Sequence, residues 1–565
     1  MIPALLRNPT YSRILAIAAA GIPILIYYWF FGSLALNVNY LAFDDILILG
    51  IVPEFEGATW AQRWVALTTL FPEHRLVFSR SVVLVFYHLF GRVDLVWLMV
   101  VANLCWGACA IYFYKALHTA ERSIWYFIPV LWLWFNVGCF ENMMWGVSSL
   151  CNFGVLFFML GSLYFAAFRP NWLALSLLLA LCATYSYGNG LLVFPVLAMM
   201  QLFRRNYVQV GITLVTVLIV SKLYFTDFQP ITKSLDISNM GQVEQGILGF
   251  FGFLGSHATI HAYGLTTSNL YIASITGLLL ALLTVGLLIG QIPLLWQSVS
   301  KKKPYSNPLA LFAIGILAFV VITALALTYK RIPTDEYIGM FKGRYRIYST
   351  LFLLGMYLLY LGVRPKSRHI TIWFMVLLSV GLNLAVLHGN FADAVNRRHM
   401  AIAEEFNARY NADWHGLRMF NMSQQHYEEI RQIYQSQDPL AEGWQPHEGL
   451  PSSRLSDSPF PIVKQTDTDD RFGMTIDQGT FKIGKNYSDG LYLLLHSAQH
   501  RYIAPFTQTP VPLKTTLRRG LYYSKYAAAS LPAGNIEPGN YRVTLVERRN
   551  GQNRFYKTGQ TLNKD

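Results

Sequence analysis

Residues 40–57 read YLAFDDILILGIVPEFEG and residues 71–80 read FPEHRLVFSR, and long apolar runs flank this part of the chain. Two adjacent acids, Asp44 and Asp45, follow the first run. The second run is preceded by four ionisable residues: Glu73, His74, Arg75 and Arg80. Ionisable groups near membrane depth are costly beside lipid, so they usually face a cavity or pair with one another. We therefore expect the segment 37–80 to contain a functional site.

The composition is that of an integral membrane protein. The 565 residues are 54% hydrophobic and only 13% charged, which is too apolar for a soluble enzyme of this length. The net charge of +14 comes mostly from Lys and Arg in short segments between apolar runs. It therefore indicates membrane orientation, and we expect no nucleic-acid partner. All five cysteines lie in or beside apolar segments, so no disulfide framework is predicted.

Apolar runs of membrane-spanning length follow one another as far as residue 388. The first, about Ile14 to Phe31, follows Arg7 and Arg13, and we interpret it as a retained start-transfer helix. The others lie near residues 82–104, 124–140, 149–168, 172–186, 190–203, 208–225, 271–296, 309–328, 348–363 and 370–388. The sequence thus predicts an all-α polytopic membrane bundle of about 11 transmembrane helices over residues 1–390.

Basic residues between the runs predict the orientation. One side carries Arg7, Arg13, Lys115, Arg122, Arg169, Arg204, Arg205, Lys301 to Lys303, Arg364, Lys366 and Arg368. The positive-inside rule makes this side cytoplasmic. The N-terminus is then cytoplasmic, whereas the segment 37–80 and the chain after residue 389 are extracytoplasmic.

One extracytoplasmic segment breaks this rule. Residues 329–349 read YKRIPTDEYIGMFKGRYRIYS and carry Lys330, Arg331, Lys342, Arg344 and Arg346. One interpretation is a solvated charged loop, partly neutralised by the two acids that follow Thr334. The other is a cationic patch that binds an anion, since the planar fork of arginine suits phosphate.

Two short segments on the same side contain unusual polar residues. CFENMMWGVSSLCNFG, residues 139–154, places Glu141 and Asn142 in an otherwise apolar turn, and YSYGNGLLVFP, residues 185–195, contains Asn189. Their aromatic residues fit an interfacial belt. We expect the three polar residues to line the cavity that Asp44 faces.

The segment 227–270 is apolar and rich in glycine, with His257 and His261 four residues apart. We interpret it as a re-entrant or interfacial helix beside a lipid carrier. A metal pair is the alternative, although no HExxH pattern accompanies the two histidines.

After residue 390 the composition becomes polar. Residues 391–470 predict an extracytoplasmic helical segment and linker. Residues 471–565 predict a small β-sandwich-like domain, because they contain short alternating stretches such as GLYLLLHS (490–497) and NYRVTLVERR (540–549), and turn residues precede the second.

These features together resemble the GT-C superfamily of polytopic glycosyltransferases, which use lipid-linked sugar donors at the outer membrane face. The resemblance covers about residues 13–390 and excludes the C-terminal part. It rests on the acids Asp44-Asp45 and on four further motifs in this order: Glu73-His74-Arg75, Glu141-Asn142-Met143-Met144-Trp145-Gly146, Gly188-Asn189-Gly190 and Arg344-Tyr345. It implies a GT-C-like fold in a bacterial inner membrane, with a periplasmic C-terminal domain.

The resemblance also implies a reaction. A sugar moves from a polyprenyl-phosphate donor to an envelope acceptor, which is a surface glycan such as lipopolysaccharide, a lipid or a protein. An inverting transfer needs a base for the acceptor and cations for the departing phosphate. We expect Asp44 or Asp45 as the base. The expected phosphate-binding residues are Arg344, Arg346, Arg75 and Tyr345, and the expected cavity residues are Glu73, His74, Arg80, Glu141, Asn142 and Asn189.

Several alternatives stay open. The acidic pair also fits a helix N-cap followed by a first-turn acid. We expect no metal or other cofactor, although the acids could hold a divalent ion. A transporter or flippase for a lipid-linked saccharide would line its path with similar charges, but its typical internal repeats are not evident. A scaffold of envelope assembly is a further alternative, and it would not need Asp44.

Overall fold

The computed structural model describes residues 9–36, 39–41, 44–71, 73–229, 233–260, 266–300, 303–364, 369–411, 424–434, 440, 455–479 and 487–564. Over these ranges the chain is mostly helical and ends in a small β-domain. The α-helices are α1 Pro9–Leu34, α2 Asp45–Leu49, α3 Ile51–Phe55, α4 Trp60–Thr68, α5 Val77–Phe90, α6 Leu95–Thr119, α7 Ile128–Trp134, α8 Phe140–Met143, α9 Gly146–Phe168, α10 Leu173–Thr184, α11 Val193–Phe203, α12 Tyr207–Tyr224, α13 Met240–Gly255, α14 Thr267–Ile289, α15 Ile292–Ser300, α16 Pro308–Asp335, α17 Arg346–Val363, α18 His369–Tyr410, α19 Gln424–Ile433 and α20 Leu513–Arg519.

Nine helical segments within the described ranges are long and apolar enough to span a membrane. They are Thr10–Leu34, Leu95–Thr119, Ile124–Met143, Gly146–Phe168, Tyr207–Tyr224, Thr267–Ile289, Pro308–Asp335, Gly343–Val363 and Thr371–Tyr410. Three shorter apolar helices accompany them: Val77–Phe90, Leu173–Thr184 and Gly188–Phe203. The chain is therefore a multi-pass membrane protein, as its composition predicts.

The predicted run 82–104 does not form one helix. Helices α5 and α6 are separated by residues 91–94, and Gly91 in this turn has a positive φ of 66°, which favours glycine. The Asp94 carboxylate accepts a hydrogen bond from the Val96 N–H at 2.8 Å, at the start of α6. Hydropathy continues across the break because most of the residues on either side are apolar.

Two other predicted runs are parts of longer helices. The run 309–328 continues as α16 to Asp335, so Lys330 and Arg331 lie on its last turns instead of in a loop. The run 370–388 continues as α18 to Tyr410. The polar segment predicted after residue 390 therefore begins as a direct extension of the last span.

Helices α13 and α14 pack backbone against backbone. A Cβ at Gly255 would collide with the Ala273 carbonyl oxygen, and a Cβ at Gly277 would collide with the Phe251 carbonyl oxygen. Small residues permit such close approach, which is a common basis of helix association in membranes. Within the glycine-rich segment, which the sequence predicts to contain a re-entrant or interfacial helix, Met240–Gly255 is thus a helix packed closely against its neighbour.

The chain divides into two compact units. The bundle unit consists of Met1–Trp29, Gly57–Val82 and Leu98–Asn390, and the β unit consists of Phe30–Glu56, Val83–Trp97 and Phe391–Asp565. The segment 37–80 is therefore divided between the two units. Its acids Asp44 and Asp45 belong to the β unit, and His74 belongs to the bundle unit.

The β-domain contains two sheets. Its strands are β1 Leu455–Asp457, β2 Ile462–Asp467, β3 Arg471–Asp477, β4 Gly490–His496, β5 Arg501–Pro505, β6 Thr507–Pro510, β7 Tyr523–Pro532, β8 Gly539–Arg549 and β9 Gln552–Lys564. The sheet orders are β1-β9-β8-β4-β5 and β2-β3-β7-β6. Both sheets contribute to one core, which includes Met474, Leu493, Ala529 and Leu545. Strands β1 and β2 precede residue 471, in the segment that the sequence predicts as linker.

Two asparagines of α18 and Asn411, which follows its last residue, cover strand edges of this domain. Each donates from Nδ2 to a strand carbonyl oxygen and accepts at Oδ1 from the N–H of the same strand residue, at 2.5 to 3.2 Å. The pairs are Asn411 with Arg501, Asn407 with Ile503, and Asn396 with Gln508. Strands β5 and β6 are edge strands, so these amides take the place of a neighbouring strand.

Candidate functional site

The Glu-Asn-x-x-Trp-Gly turn meets the Arg-Tyr pair in the bundle unit, although they lie 203 residues apart. Glu141 accepts hydrogen bonds from Arg344 Nη1 at 3.3 Å and from the Arg344 backbone N–H at 3.1 Å. Asn142 Nδ2 donates to the Arg344 carbonyl oxygen at 2.8 Å. The guanidinium also lies 5.8 Å from the Trp145 ring centroid. Both the backbone and the side chain of Arg344 are therefore held by this turn.

Three cations lie within electrostatic range of the buried Tyr345 hydroxyl: Arg331, Lys342 and Arg344. We call these three residues and Tyr345 the basic cluster. Lys342 Nζ lies 2.5 Å from Asp335 Oδ2, and Arg331 Nη1 lies 3.6 Å from the same oxygen. Arg344 keeps 21% of its side chain exposed. Guanidinium and phenol groups are hydrogen-bond donors, so the cluster has the chemistry of a phosphate site.

His74 lies beside this cluster and packs on the Tyr187 ring, with centroids 4.4 Å apart. Gly188 makes the contact feasible, because a Cβ at residue 188 would lie 2.6 Å from His74 Nδ1. Burial lowers the pKa of His74 to about 4, against the effect of Glu73 and with that of Arg331. The imidazole is therefore neutral at pH 7.

Asn189 connects the Gly-Asn-Gly turn to α17. Its Nδ2 donates to the Tyr348 hydroxyl at 2.8 Å, and its buried Oδ1 accepts no hydrogen bond from the described residues. Burial raises the pKa of the neighbouring Tyr187 phenol, with Tyr345 adding to the effect and Arg344 opposing it. Tyr187 is therefore a neutral phenol at pH 7.

Arg75 and Arg80, which the sequence assigns to the phosphate site and the cavity, hold backbone instead. Arg75 donates to three carbonyl oxygens, and Arg80 donates to two. The acceptors are Tyr224, Thr68 and Thr226 for Arg75, and Leu67 and Thr69 for Arg80. The last carbonyls of a helix lack intrahelical partners, and both arginines supply donors where α4 ends. The geometry therefore gives Arg75 a structural role, and its phosphate-binding role stays a prediction.

Arg346, the other predicted phosphate-binding arginine, points into the bundle and is only 4% exposed. Its Nη2 donates to the Ser256 carbonyl oxygen at 3.2 Å and to Thr259 Oγ1, and its Nη1 donates to Asn390 Oδ1 at 3.4 Å. Arg346 therefore stabilises the packing after α13 and does not join the basic cluster.

Of the two candidate metal-binding histidines, only His257 lies in the described part of the chain. Its Nδ1 is 2.6 Å from Ser349 Oγ. Burial lowers the pKa of His257 to about 4, and the charge of Arg346 adds to this effect. His261 lies outside the described residues. Those residues contain no group of three or more His, Cys, Asp or Glu that could hold a metal ion.

The acidic pair lies in the β unit, where the two carboxylates differ in exposure. Asp44 stands at the N-cap position of α2, but its side chain makes no capping hydrogen bond. Asp44 is partly exposed, whereas Asp45 is 0% exposed. Burial raises the pKa of the adjacent Tyr40 to about 12; Arg397 opposes this effect, and Asp45 contributes to it. Asp45 therefore belongs to a buried polar cluster that includes the start of the polar part of α18.

Four residues in or beside the basic cluster were not among the predicted site residues: Arg331, Lys342, Tyr187 and Tyr348. The excess positive charge of residues 329–349 could have indicated Arg331 and Lys342. Tyr187 resembles an ordinary belt residue in sequence. Tyr348 could have been found from its spacing, because it lies one helical turn after Tyr345.

Comparisons with family models, with curated proteins and with solved structures found no match to this chain.

Proposed function

We propose that this protein is a membrane glycosyltransferase of GT-C type. It moves a sugar from a polyprenyl-phosphate donor to an envelope acceptor on the extracytoplasmic side of a bacterial inner membrane. The observation that carries the proposal is the basic cluster, which combines Arg331, Lys342 and Arg344 with a buried phenol. Clustered cations of this kind, held in place before the ligand arrives, are what a departing phosphate requires.

The basic cluster acts on the leaving group. As the bond between the sugar and the phosphate breaks, negative charge grows on the phosphate oxygens. Arg344, fixed by Glu141 and Asn142, donates to these oxygens without reorganising, and Arg331 and Lys342 add positive charge. The neutral hydroxyl of Tyr187 and the amide of Asn189 are available for the sugar hydroxyls.

Transfer also requires a base for the acceptor hydroxyl. Between the two adjacent acids, Asp44 is the better candidate because Asp45 is 0% exposed and cannot be reached by an acceptor hydroxyl. Asp45 instead holds the segment in place through its buried cluster. The proposal requires no metal, so transfer should survive EDTA.

The test is sugar transfer by the purified full-length protein in lipid. A panel of radiolabelled polyprenyl-phosphate sugars is supplied with a crude envelope fraction as acceptor. We expect label to move to the acceptor in the wild type. Asp44→Asn should abolish transfer while leaving donor binding intact, and Arg344→Ala should weaken both donor binding and transfer.

Arg364→Ala is the matched control for Arg344→Ala, because Arg364 lies at the other end of α17 from the basic cluster. It should transfer sugar at the wild-type rate. If donor binds but is not consumed, and Asp44→Asn behaves like the wild type, the transferase proposal fails. The favoured interpretation would then be a saccharide transporter. Movement of labelled donor across the membrane of liposomes that contain the protein would test it.

A further inference from the structure

A cavity lies in the bundle unit, away from the basic cluster. It has a volume of about 410 Å³, within the range of ligand-binding pockets. The start of α1, the end of α6 and the segment before α7 form its walls. Its polar lining includes Arg13, His118 and Arg122, and no acid occurs among its described lining residues. Glu121, the adjacent acid in sequence, is exposed and outside the lining.

Parts of this cavity are fixed before any ligand binds. Arg122 Nη2 donates to the Leu361 carbonyl oxygen at 2.6 Å, and its guanidinium lies 5.7 Å from the Tyr126 ring centroid. Trp125 Nε1 donates to Ser12 Oγ at 3.1 Å. The last bond joins the segment before α7 to α1, so two walls of the cavity keep their separation.

The cavity and the basic cluster lie at opposite ends of one span. The segment Ile124–Met143 begins at the cavity lining and ends at Glu141 and Asn142. The segment is 20 residues long and mostly helical, with a break at Phe135 and Asn136 between α7 and α8, and it is long and apolar enough to cross a bilayer. The cavity therefore lies near the opposite membrane face, which the positive-inside rule predicts to be cytoplasmic.

We propose that this cavity binds the phosphate headgroup of an anionic phospholipid. Two arginines supply the positive charge, and the arginines and a histidine supply the hydrogen-bond donors, that a phosphate diester requires. Ile14, Leu15 and Ile17 of α1 follow Arg13 directly and are exposed, which provides an apolar surface for acyl chains. This surface favours a lipid over free phosphate.

The test measures lipid retention by native mass spectrometry of the full-length protein released from detergent micelles. Phosphatidylglycerol, phosphatidylcholine and inorganic phosphate are added in separate arms. The variants are Arg13→Gln, which changes an exposed residue, and Arg122→Gln. Arg169→Gln is the matched control, because Arg169 is an exposed arginine on the same predicted side but outside the cavity.

We expect the wild type and Arg169→Gln to retain phosphatidylglycerol in preference to phosphatidylcholine. Each of the two cavity variants should lower the affinity for phosphatidylglycerol about fivefold. Equal retention by Arg13→Gln and Arg169→Gln overturns the proposal, as does equal retention of both lipids. Binding of inorganic phosphate that depends on Arg13 without lipid retention also overturns it. The readout involves no sugar transfer, so it is independent of the proposed activity.

Discussion

At the scale of single residues, Glu141 holds both the backbone and the guanidinium of Arg344. Glu141→Gln removes the charge and keeps the size of the side chain. A hydrogen bond to a charged group contributes about 1.5–3 kcal/mol, so we expect kcat/KM for the proposed sugar transfer to fall about tenfold or more. The exposed Glu336 lies in the same segment as Arg344, and Glu336→Gln should keep the wild-type value. A wild-type rate in Glu141→Gln would contradict the assigned role.

His74 predicts a pH dependence of stability. Its folded-state pKa of about 4 lies below the ordinary value of 6.5, so the unfolded chain binds more protons between these values. Its contribution is complete above pH 6.5 and is lost as the pH falls to about 4, by about 3 kcal/mol at most. Thermal unfolding of the wild type and His74→Gln between pH 7 and pH 4 measures the difference. If the two proteins lose stability in parallel as the pH falls, burial does not keep His74 neutral.

Residue types and spacing led us to predict Glu141, Asn142 and Arg344 as site residues, and the structure brings these three together. They were not enough to separate Arg344 from Arg346, which are two positions apart. The direction of each side chain depends on where α17 begins and on partners far away in sequence. Local pattern contains neither piece of information.

At the scale of secondary-structure elements, the contact between α13 and α14 depends on Gly277. Gly277→Ala places a methyl group against the Phe251 carbonyl, so the helices must separate. We expect a loss of about 1–3 kcal/mol, measured as a lower thermal midpoint in detergent. Gly286→Ala is the matched control in the same helix, because a Cβ there meets nothing within 4 Å. It should be neutral or slightly stabilising, and equal midpoints for both variants would refute the close contact.

The asparagine pairs of α18 give a second prediction at this scale. Asn407→Ala leaves the buried N–H and C=O of Ile503 without the amide, at a cost of about 1–3 kcal/mol. Hydrogen exchange of the full-length protein should show faster exchange in β5. Asn540→Ala, at an exposed position of β8, should leave β5 protected. Unchanged exchange in Asn407→Ala would mean that β5 does not rely on the helix.

At the scale of the whole molecule, the predicted orientation can be tested with single cysteines. Gln560 and Thr119 are exposed, and the positive-inside rule puts them on opposite sides of the membrane. A membrane-impermeant maleimide should label Gln560→Cys in spheroplasts. Thr119→Cys should react only after the membrane is permeabilised. The wild type, whose five cysteines are buried or partly buried, is the background control, and the reverse labelling would invert the orientation.

The sequence by itself determined the class of this protein, because hydropathy and alternation are sums over neighbouring residues. It predicted a multi-pass helical membrane protein with a C-terminal β-domain, and both features are confirmed. Only the tertiary structure decided that Arg75 and Arg346 hold the fold, and that Arg331 and Lys342 join Arg344 around Tyr345. The physical reason is that the role of a charge depends on its partners in space, and most of those partners are distant in the chain.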